Sequence, residues 1–598
     1  MDEKLTPSPK EESGIASRGQ TPSGSSGLQT ASHLANAPSL VGDDEDDDDA
    51  LRRVFLSRAR APAGPKSPLP SGPSEDDAAA EIVILPPSDR ARSNVFKFQV
   101  NPRQRTNSTI QLIDWLFSPP DTTVSVPPFV GGTESIGYRN FAIKSKIPVD
   151  SQPDADWQDL RSHLESDDSR TELANDLVEV YFQICHNRLP LLDSTDFRTR
   201  LRAFLYPTSS LDPAISPLPP ALLATVIAWG AKFSEHPLLV HDRGMNDGKS
   251  RLSRLITKRA REVAEGEKVH RVPTADNVIV ALLLEPLHSH NPSDLDGLNG
   301  FWLNCAIRHL FELGVNRRSR LLELDEHSRA MMTYAWFMAL LSDAFAAVYW
   351  RKKPVIDEDD FDVGFGEDAS FVAYDASLST QEATQNWLAV SSLANVARKL
   401  AKDLSKPNVT TFGMPLQVLK RCMENLQAWK EQYLQLVGVP DNYQANWDFA
   451  AAVAACTCDA QYHVMWVILH SALDEFSIRE AKEGTMTYTA LHEIERQVFD
   501  EALQGALRIS GLTSVLTSNG YLRLDPNILH FSTYAAGMFL ARYGKPEVKT
   551  CIQGLEQYSF AYEEAHEQAQ WMQQVYANSL HQLQPPLRPH SVLSTSSS

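Results

Sequence analysis

The chain has 598 residues, of which 42% are hydrophobic, and a formal net charge of −20. Because single cores stop growing at about 250–300 residues, this length argues against one compact core and favours several subdomains or an extended stack. The negative charge makes the chain repel nucleic acid on average, so a DNA contact needs a local basic module. Six cysteines at sparse, irregular spacing argue against a disulfide framework and fit a reducing compartment.

The N-terminal region has the composition of an unfolded segment. Residues 1–80 contain few aromatic side chains and much Ser, Pro, Gly, Asp and Glu, so we predict that they are disordered. The acidic run Asp43–Asp49 precedes Leu51 and Phe55, which is typical both of segments that bind coactivators and of solvating linkers. The arginines that follow this run form a short candidate nuclear import signal.

The rest of the chain is predicted to be helical. Residues 81–155 are expected to form a partly ordered linker, in which IQLIDWLF at 110–117 makes one or two helical turns that dock on the main domain. From 156 to 580 apolar residues recur with a helical period, and strand-like alternation is almost absent. We therefore predict an all-α, multi-helix domain over 156–580, in one unit or two helical subdomains. A disordered tail is predicted over 581–598.

Local signals predict particular helix ends. Ser169 and Glu172 have the spacing of a capping box, Thr274 has the position of an N-cap, and Gly314 that of a C-terminal stop. In the second half of the chain, helices are predicted at 385–404, 414–436, 449–473, 492–511, 528–542 and 552–580.

Two of the predicted helices carry charges whose environment matters. Residues 249–265 are amphipathic, and their basic side chains, Arg259 among them, are interpreted as a solvated face rather than a phosphate-binding surface. The apolar run 331–350 approaches the length of a membrane span, but Asp343 near its centre is costly in lipid, which favours a buried core helix. A buried carboxylate needs a partner. We predict that Asp343 pairs with a basic side chain, preferably Arg308, or with backbone N–H groups of a nearby loop.

The order of segments between 273 and 363 resembles the regulatory region of the fungal zinc binuclear cluster transcription factors. FWLNCAIRHLFELGV at 301–315 is a helix ending in Leu-Gly, MMTYAWFMALLSDAFAAVYW at 331–350 bears Trp and a central Asp, and a basic residue precedes Pro. The resemblance is clearest over 170–365. It departs from the family pattern in lacking an Arg-Arg pair before the Trp helix and in having Lys352 where Gly is usual. The residues that match the family motif, with an implied structural role, are Trp302, Arg308, Gly314, Trp336, Asp343 and Pro354.

The resemblance implies a nuclear regulator of RNA polymerase II transcription in a fungus. The implied partners are the transcription machinery or coregulators, a second copy or related chain, and a small-molecule effector. DNA would be bound only through a module outside this chain, and neither a membrane nor a cofactor is expected. The family's zinc cluster needs six closely spaced cysteines, whereas the first cysteine here is Cys185 and C-x2-C never occurs. No zinc is therefore expected, and the alternative is a corepressor or dimer partner that does not bind DNA.

Signals for other chemistry are weak. Cys456 and Cys458, two apart on a predicted helix, point in different directions and are interpreted as core residues. His288 and His290 lie in a loop with aspartates nearby, a common composition that we do not interpret as a metal site. There is no G-x-S-x-G, no G-x-x-x-x-G-K-[ST] and no H-E-x-x-H, and the run Asp357–Asp362 lacks the D-D-x-x-D spacing of helical terpene synthases. We predict no catalytic residue, and an all-α enzyme is the remaining alternative.

Overall fold

The computed structural model describes residues 112–117, 164, 166–186, 188–205, 216–287, 299–364, 380–440 and 449–583. Within these ranges the chain forms nineteen α-helices besides the short helical segment 112–117, and no strand, with one isolated bridge between Met414 and Ile478. The predicted all-α fold class is confirmed. The predicted disorder of 1–80 falls outside the described residues, as do most of the predicted linker and tail. The predicted domain boundaries stay predictions.

Nine helices occupy the first part of the described chain, and a π-helical turn, Tyr181–Cys185, extends the first of them. They are α1 (Asp167–Val180), α2 (Ser194–Leu205), α3 (Pro220–Phe233), α4 (Pro237–Met245), α5 (Arg251–Gly266), α6 (Ala275–Leu284), α7 (Phe301–Leu313), α8 (Arg318–Leu321) and α9 (Glu326–Tyr349).

Ten helices follow, with a second π-helical turn at Lys430–Leu434. They are α10 (Thr380–Leu404), α11 (Pro407–Phe412), α12 (Leu416–Trp429), α13 (Gln435–Val437), α14 (Phe449–Phe476), α15 (Arg479–Lys482), α16 (Tyr488–Ser518), α17 (His530–Arg542), α18 (Val548–Tyr558) and α19 (Glu564–Leu583).

The helix N-termini are set by short polar side chains. Helix α1 begins before the predicted capping box, because the hydroxyl of Ser166 accepts a hydrogen bond from the backbone N–H of Ser169 at 3.1 Å. The prediction that Ser169 is the N-cap is therefore wrong; the two acidic residues of the first turn, Asp167 and Asp168, suit the positive end of the helix dipole. Thr274 caps α6 as predicted, through the N–H of Asn277 at 3.2 Å.

Helix α3 forms the centre of the first half because it has no polar face. Every residue from Ala221 to Phe233 is buried. A Cβ on Gly230 would lie 1.9 Å from the carbonyl oxygen of Leu177, so α1 and α3 approach each other as closely as their backbones allow. The small side chains of this helix therefore set the spacing between α1 and α3.

Two helices are long and apolar enough to cross a membrane by length and composition, Glu326–Tyr349 and Ala451–Phe476. In this fold their apolar windows are 72% and 78% buried against other helices. A core helix of a water-soluble fold passes the same test of length and composition. The burial agrees with the interpretation of 331–350 as a buried core helix.

The segment 112–117 is helical and docks on the helical domain, as predicted. Leu112, Leu116 and Phe117 are almost fully buried. Asp114 forms an ion pair with Arg170 of α1, with Oδ1 and Nε 3.0 Å apart. Arg259 of α5 donates to the carbonyl oxygens of Trp115 and Leu116, the latter at 3.2 Å, and its guanidinium lies 5.1 Å from the Trp115 ring centre.

This docking corrects one prediction. Arg259 is 8% exposed and is not part of a solvated basic face. Its neighbours Arg254 and Lys258 are exposed, as predicted. A guanidinium tolerates burial here because two helix-end carbonyls and an aromatic ring replace its water. The sequence periodicity of α5 alone places Arg259 at the edge of the apolar face, and only the docked segment buries it.

The predicted helix 552–580 is two helices, α18 and α19. The turn between them, 559–563, contacts basic residues of both the first half and the C-terminal part of the chain. Phe560 lies between the guanidinium groups of Arg243 and Arg523, at 4.2 and 4.3 Å from its ring centre. The ammonium of Lys232 lies 4.1 Å from the centre of the Tyr562 ring and donates to the carbonyl oxygen of Ala561 at 2.9 Å. These contacts require a turn, which periodicity does not predict.

Candidate ligand cavity

A cavity of about 360 Å³ lies between α9, α10, α14 and the segment that leads into α17. Ligand pockets typically have volumes of about 300–1,000 Å³, so a small organic molecule fits. Its walls combine helices of the first half with helices of the last third. The ends of α6 and α7 contribute Leu282, Glu285 and Leu303, and the turn after α1 contributes Arg188.

Most of the wall is apolar and aromatic. Tyr334 of α9 and Trp387 of α10 make an edge-to-face contact with ring centres 5.2 Å apart. At the other end, Tyr349 of α9 stacks on Phe531 of α17 with ring centres 3.4 Å apart. Phe345 completes this end. Such rings offer flat apolar surface to a bound molecule.

One face of helix α14 lines the cavity. Ala454, Thr457, Cys458 and Gln461 follow the spacing i, i+3, i+4 and i+7, which places them on one face of the helix. The hydroxyl of Thr457 donates to the carbonyl of Val453 at 2.8 Å, so its oxygen is left as an acceptor. The side-chain oxygen Oε1 of Gln461 is buried and has no hydrogen-bond partner among the described residues.

Arg188 supplies the positive charge in the wall. Its Nη2 donates to Oγ1 of Thr457 at 2.7 Å. Its Nε is buried and has no acceptor within the part of the chain that the structure describes. The guanidinium therefore makes one hydrogen bond to a neutral group and keeps further donor capacity.

The acidic residue of the wall is Glu285, and its carboxylate forms hydrogen bonds within the fold. Its two carboxylate oxygens accept from the backbone N–H groups of Gly300 at 2.8 Å and Leu303 at 3.0 Å, which begin α7. Burial raises the pKa of Glu285, while these N–H groups and Lys352 oppose the increase. The carboxylate caps α7 and holds Leu303 at the cavity wall.

A buried carboxylate also fixes the loop that closes the cavity. Asp525 is fully buried and accepts from the N–H groups of Ile528 at 2.8 Å and Leu529 at 3.0 Å. The hydroxyls of Tyr558 and Tyr521 donate to it at 2.6 and 3.3 Å. Four donors on one carboxylate hold this loop in a single conformation.

Two of the residues that match the sequence motif are packed tryptophans beside the cavity. Trp302 and Trp336 are both fully buried. Trp336 contacts Phe311 and Phe361 edge to face, with ring centres 5.7 and 5.6 Å apart. Neither tryptophan lines the cavity, although Trp302 precedes the lining residue Leu303.

Arg308 and Gly314 lie on the outer side of α7. Arg308 is exposed, and its guanidinium donates to the backbone carbonyl of His270. Gly314 ends the helix with φ of 72°, a left-handed conformation that a glycine adopts without strain. The stop at Gly314 is as predicted.

Asp343 is 4% exposed, and its partners are backbone groups. Its two oxygens accept from the N–H groups of Val355 and Ile356, each at 3.0 Å. The predicted burial and the backbone option are confirmed, whereas the preference for Arg308 is wrong. The basic side chain that acts on Asp343 is Arg398 of α10, which partly offsets the increase in the Asp343 pKa caused by burial.

Pro354 is buried at the start of the loop that Asp343 holds. Pro has no N–H, so the carboxylate bonds begin at the next residue, Val355. The motif thus fixes the return of the chain after α9. None of the six motif residues lines the cavity.

Sequence reasoning missed the lining residues. Arg188 stands before the Leu-Pro-Leu-Leu segment in a turn, where an arginine is usually solvated. Gln461 is one polar residue on an otherwise apolar helix, and such residues are common at core edges. The one available signal was the i, i+3, i+4, i+7 row on α14, and it marks only which residues share a face.

The cysteines are packing residues in the described fold. All six are buried, and none is in a disulfide. Burial raises the pKa of Cys456 to about 11 and that of Cys458 to about 12. No group of three or more His, Cys, Asp or Glu side chains that could hold a metal ion occurs in the described ranges. His288 and His290 fall outside those ranges.

The structure and the comparison with known families agree on the first half. Residues 178–431 match the family model of the fungal specific transcription factor domain, and the match does not extend to a zinc cluster. No curated protein and no solved structure matches the chain. The match covers the helices from the end of α1 to the turn after α12, which include the cavity walls α9 and α10. Residues 178–431 are therefore similar to the fungal specific transcription factor domain.

Proposed function

We propose that this chain regulates RNA polymerase II transcription in a fungal nucleus, and that a small molecule bound in the cavity controls its output. The observation that carries the proposal is the position of the cavity. Its walls come from the family domain and from the C-terminal helices together. A ligand there contacts both parts at once, so it favours one arrangement of the two over others.

The lining favours reversible binding over catalysis. Arg188 bonds to Thr457, and Glu285 caps a helix, so neither is arranged as a nucleophile with a base. The family also consists of transcription regulators rather than enzymes. Coregulators and the transcription machinery are the partners that such an output requires, and DNA is reached through a separate module.

The test fills the cavity without a ligand. The full chain is fused to a heterologous DNA-binding domain and placed upstream of a reporter gene in a fungal host. Ala346 lines the cavity on α9, so Ala346→Trp puts an indole into the space. We expect reporter output to shift by about fivefold or more, the usual size of an allosteric coupling, and to lose its response to growth conditions.

A matched control separates filling from the presence of an extra indole. Ala490 is exposed on α16, so Ala490→Trp should leave output unchanged. Protein level and melting temperature are measured for both variants. If Ala346→Trp folds normally and gives the same output and response as the unsubstituted chain, the proposal is wrong.

A further inference from the structure

The cavity contains a positive charge that no described residue neutralises. An arginine side chain carries a positive charge, and the hydrogen bond that Arg188 forms goes to the neutral hydroxyl of Thr457. Its Nε is buried without an acceptor, and Arg188 forms no ion pair with a carboxylate of the described residues. Arg188 is partly buried in the cavity wall, where an anionic group of a ligand would supply a counter-charge.

The acidic residue in the same wall does not act as the missing partner. Both oxygens of Glu285 bond to backbone N–H groups at the start of α7, and the cation that affects it is Lys352. The groups that sense the charge of Arg188 include the thiols of Cys456 and Cys458 and the phenol of Tyr521. These groups are neutral at physiological pH. These neutral groups do not balance the charge of Arg188, so the site suits one anionic group.

The rest of the lining indicates which kind of uncharged group the ligand should carry. Tyr334, Phe345, Tyr349, Trp387 and Phe531 present aromatic surface. Gln461 lies one turn beyond Thr457 on the same face of α14 and adds an amide to the lining. A second negative charge is disfavoured because Glu285 already holds one in the same wall.

We propose that the cavity binds a monocarboxylate with an apolar body, its carboxylate on Arg188 and its body against the aromatic wall. The inference rests on the proposed function, since it names the class of ligand for the same cavity. Arginine recognises carboxylates through charge-assisted N–H donors, and the guanidinium of Arg188 has donors beyond the one that bonds to Thr457.

The test compares molecules that differ only in charge. Purified full-length protein is titrated with 4-phenylbutyrate, its primary amide 4-phenylbutanamide, and the dicarboxylate phenylsuccinate, by calorimetry and by tryptophan fluorescence. Trp350 and Trp387 line the cavity and report its occupation. The carboxylate should bind about tenfold or more tightly than the amide, and the dicarboxylate more weakly than the monocarboxylate.

Variants at Arg188 test whether this residue causes the preference for the acid over the amide. Arg188→Gln should remove the advantage of the acid while leaving affinity for the amide unchanged, and Arg188→Lys should retain part of it. Arg496→Gln removes an exposed arginine that pairs with Glu493, and it should change nothing. If Arg188→Gln does not fold, the acid and amide on the unsubstituted chain and on Arg188→Lys decide the question.

Three results would overturn the inference: equal affinity for acid and amide, an acid preference that survives in Arg188→Gln, or no binding of the acid up to about 1 mM. Binding is measured without transcription, so its outcome is separate from the reporter result. Carboxylate binding that depends on Arg188, together with a reporter insensitive to Ala346→Trp, would sustain the ligand class and refute its regulatory role.

Discussion

The family domain at 178–431 and the helices at 449–583 differ in how they can be recognised, yet they form one core. Residues 178–431 contain a recognisable sequence motif and match a family model. The second shows helical periodicity and nothing else. In the structure Lys232 of the first bonds to Ala561 of the second, and Tyr349 stacks on Phe531. The recognisable pattern therefore ends well before the folding unit does.

The most direct test of whether the two regions form one folding unit is to delete the helices at 449–583. A chain ending at 440 leaves α3, α9 and α10 without the helices that cover them, so we expect it to lose cooperative unfolding and to expose apolar surface. Differential scanning calorimetry and binding of a hydrophobic dye measure this. A chain shortened only by 584–598, the predicted loose tail, is the control. A sharp thermal transition in the chain ending at 440 would show that the family domain folds alone.

Two buried aspartates allow a matched comparison of the regions. Asp343→Ala leaves the N–H groups of Val355 and Ile356 without an acceptor, and Asp525→Ala does the same to Ile528 and Leu529. Each variant should lower the free energy of unfolding by about 3 kcal/mol, since buried donors lose their charged partner.

Chemical denaturation at constant slope measures both losses. The exposed Asp500→Ala should change stability by less than about 0.5 kcal/mol. Equal losses with one transition indicate one cooperative unit. Separate transitions, each sensitive to only one aspartate, would mean that the two regions unfold independently.

The segment 112–117 lies outside the family domain, and its attachment to α5 can be tested separately. Arg259→Met removes the bonds to the Trp115 and Leu116 carbonyls, so the segment should be released at a cost of about 2 kcal/mol. Chymotrypsin cleavage beside Trp115 and Phe117 should become faster, while the global melting temperature falls little. Lys258→Met, at an exposed neighbouring position, is the control. Unchanged cleavage would mean that Arg259 does not hold the segment.

The smallest predicted effect is on the pH dependence of the free energy of unfolding. Glu267 accepts from the backbone N–H of Ala221 at 3.3 Å, and burial raises its pKa from 4.5 to about 7. The folded state thus keeps this proton where the unfolded chain has lost it, so stability falls as pH rises from 4.5 to 7. Glu267→Gln should flatten this dependence, by about 1 kcal/mol per pH unit at most.

Unfolding curves at several pH values measure the slope. Glu323→Gln, at an exposed position, should keep the dependence of the unsubstituted chain. An identical slope in Glu267→Gln and in the unsubstituted chain would show that Glu267 ionises normally in the fold.

Sequence predicted what local chemistry determines and missed what long-range contacts determine. The cap at Thr274, the stop at Gly314 and the burial of Asp343 follow from residue type and neighbours within a few turns. The partner of Asp343 depends on how the chain returns after Pro354, and the turn at 559–563 depends on Arg243 and Lys232 more than 300 residues away. The charge at Arg188 becomes notable only once distant helices enclose it.

The burial of every cysteine gives this chain six built-in chemical reporters. The thiolate is the form of cysteine that attacks thiol reagents, and burial raises the pKa of Cys422, Cys458 and Cys551 to about 12. Labelling of the native protein therefore proceeds only through transient openings, and its rate at each site measures the free energy of that opening. Cys185 and Cys305 report on the family domain, Cys551 reports on the C-terminal helices, and Cys458 reports on the cavity wall itself. Mass spectrometry after timed labelling then yields a residue-level map of opening without any substitution.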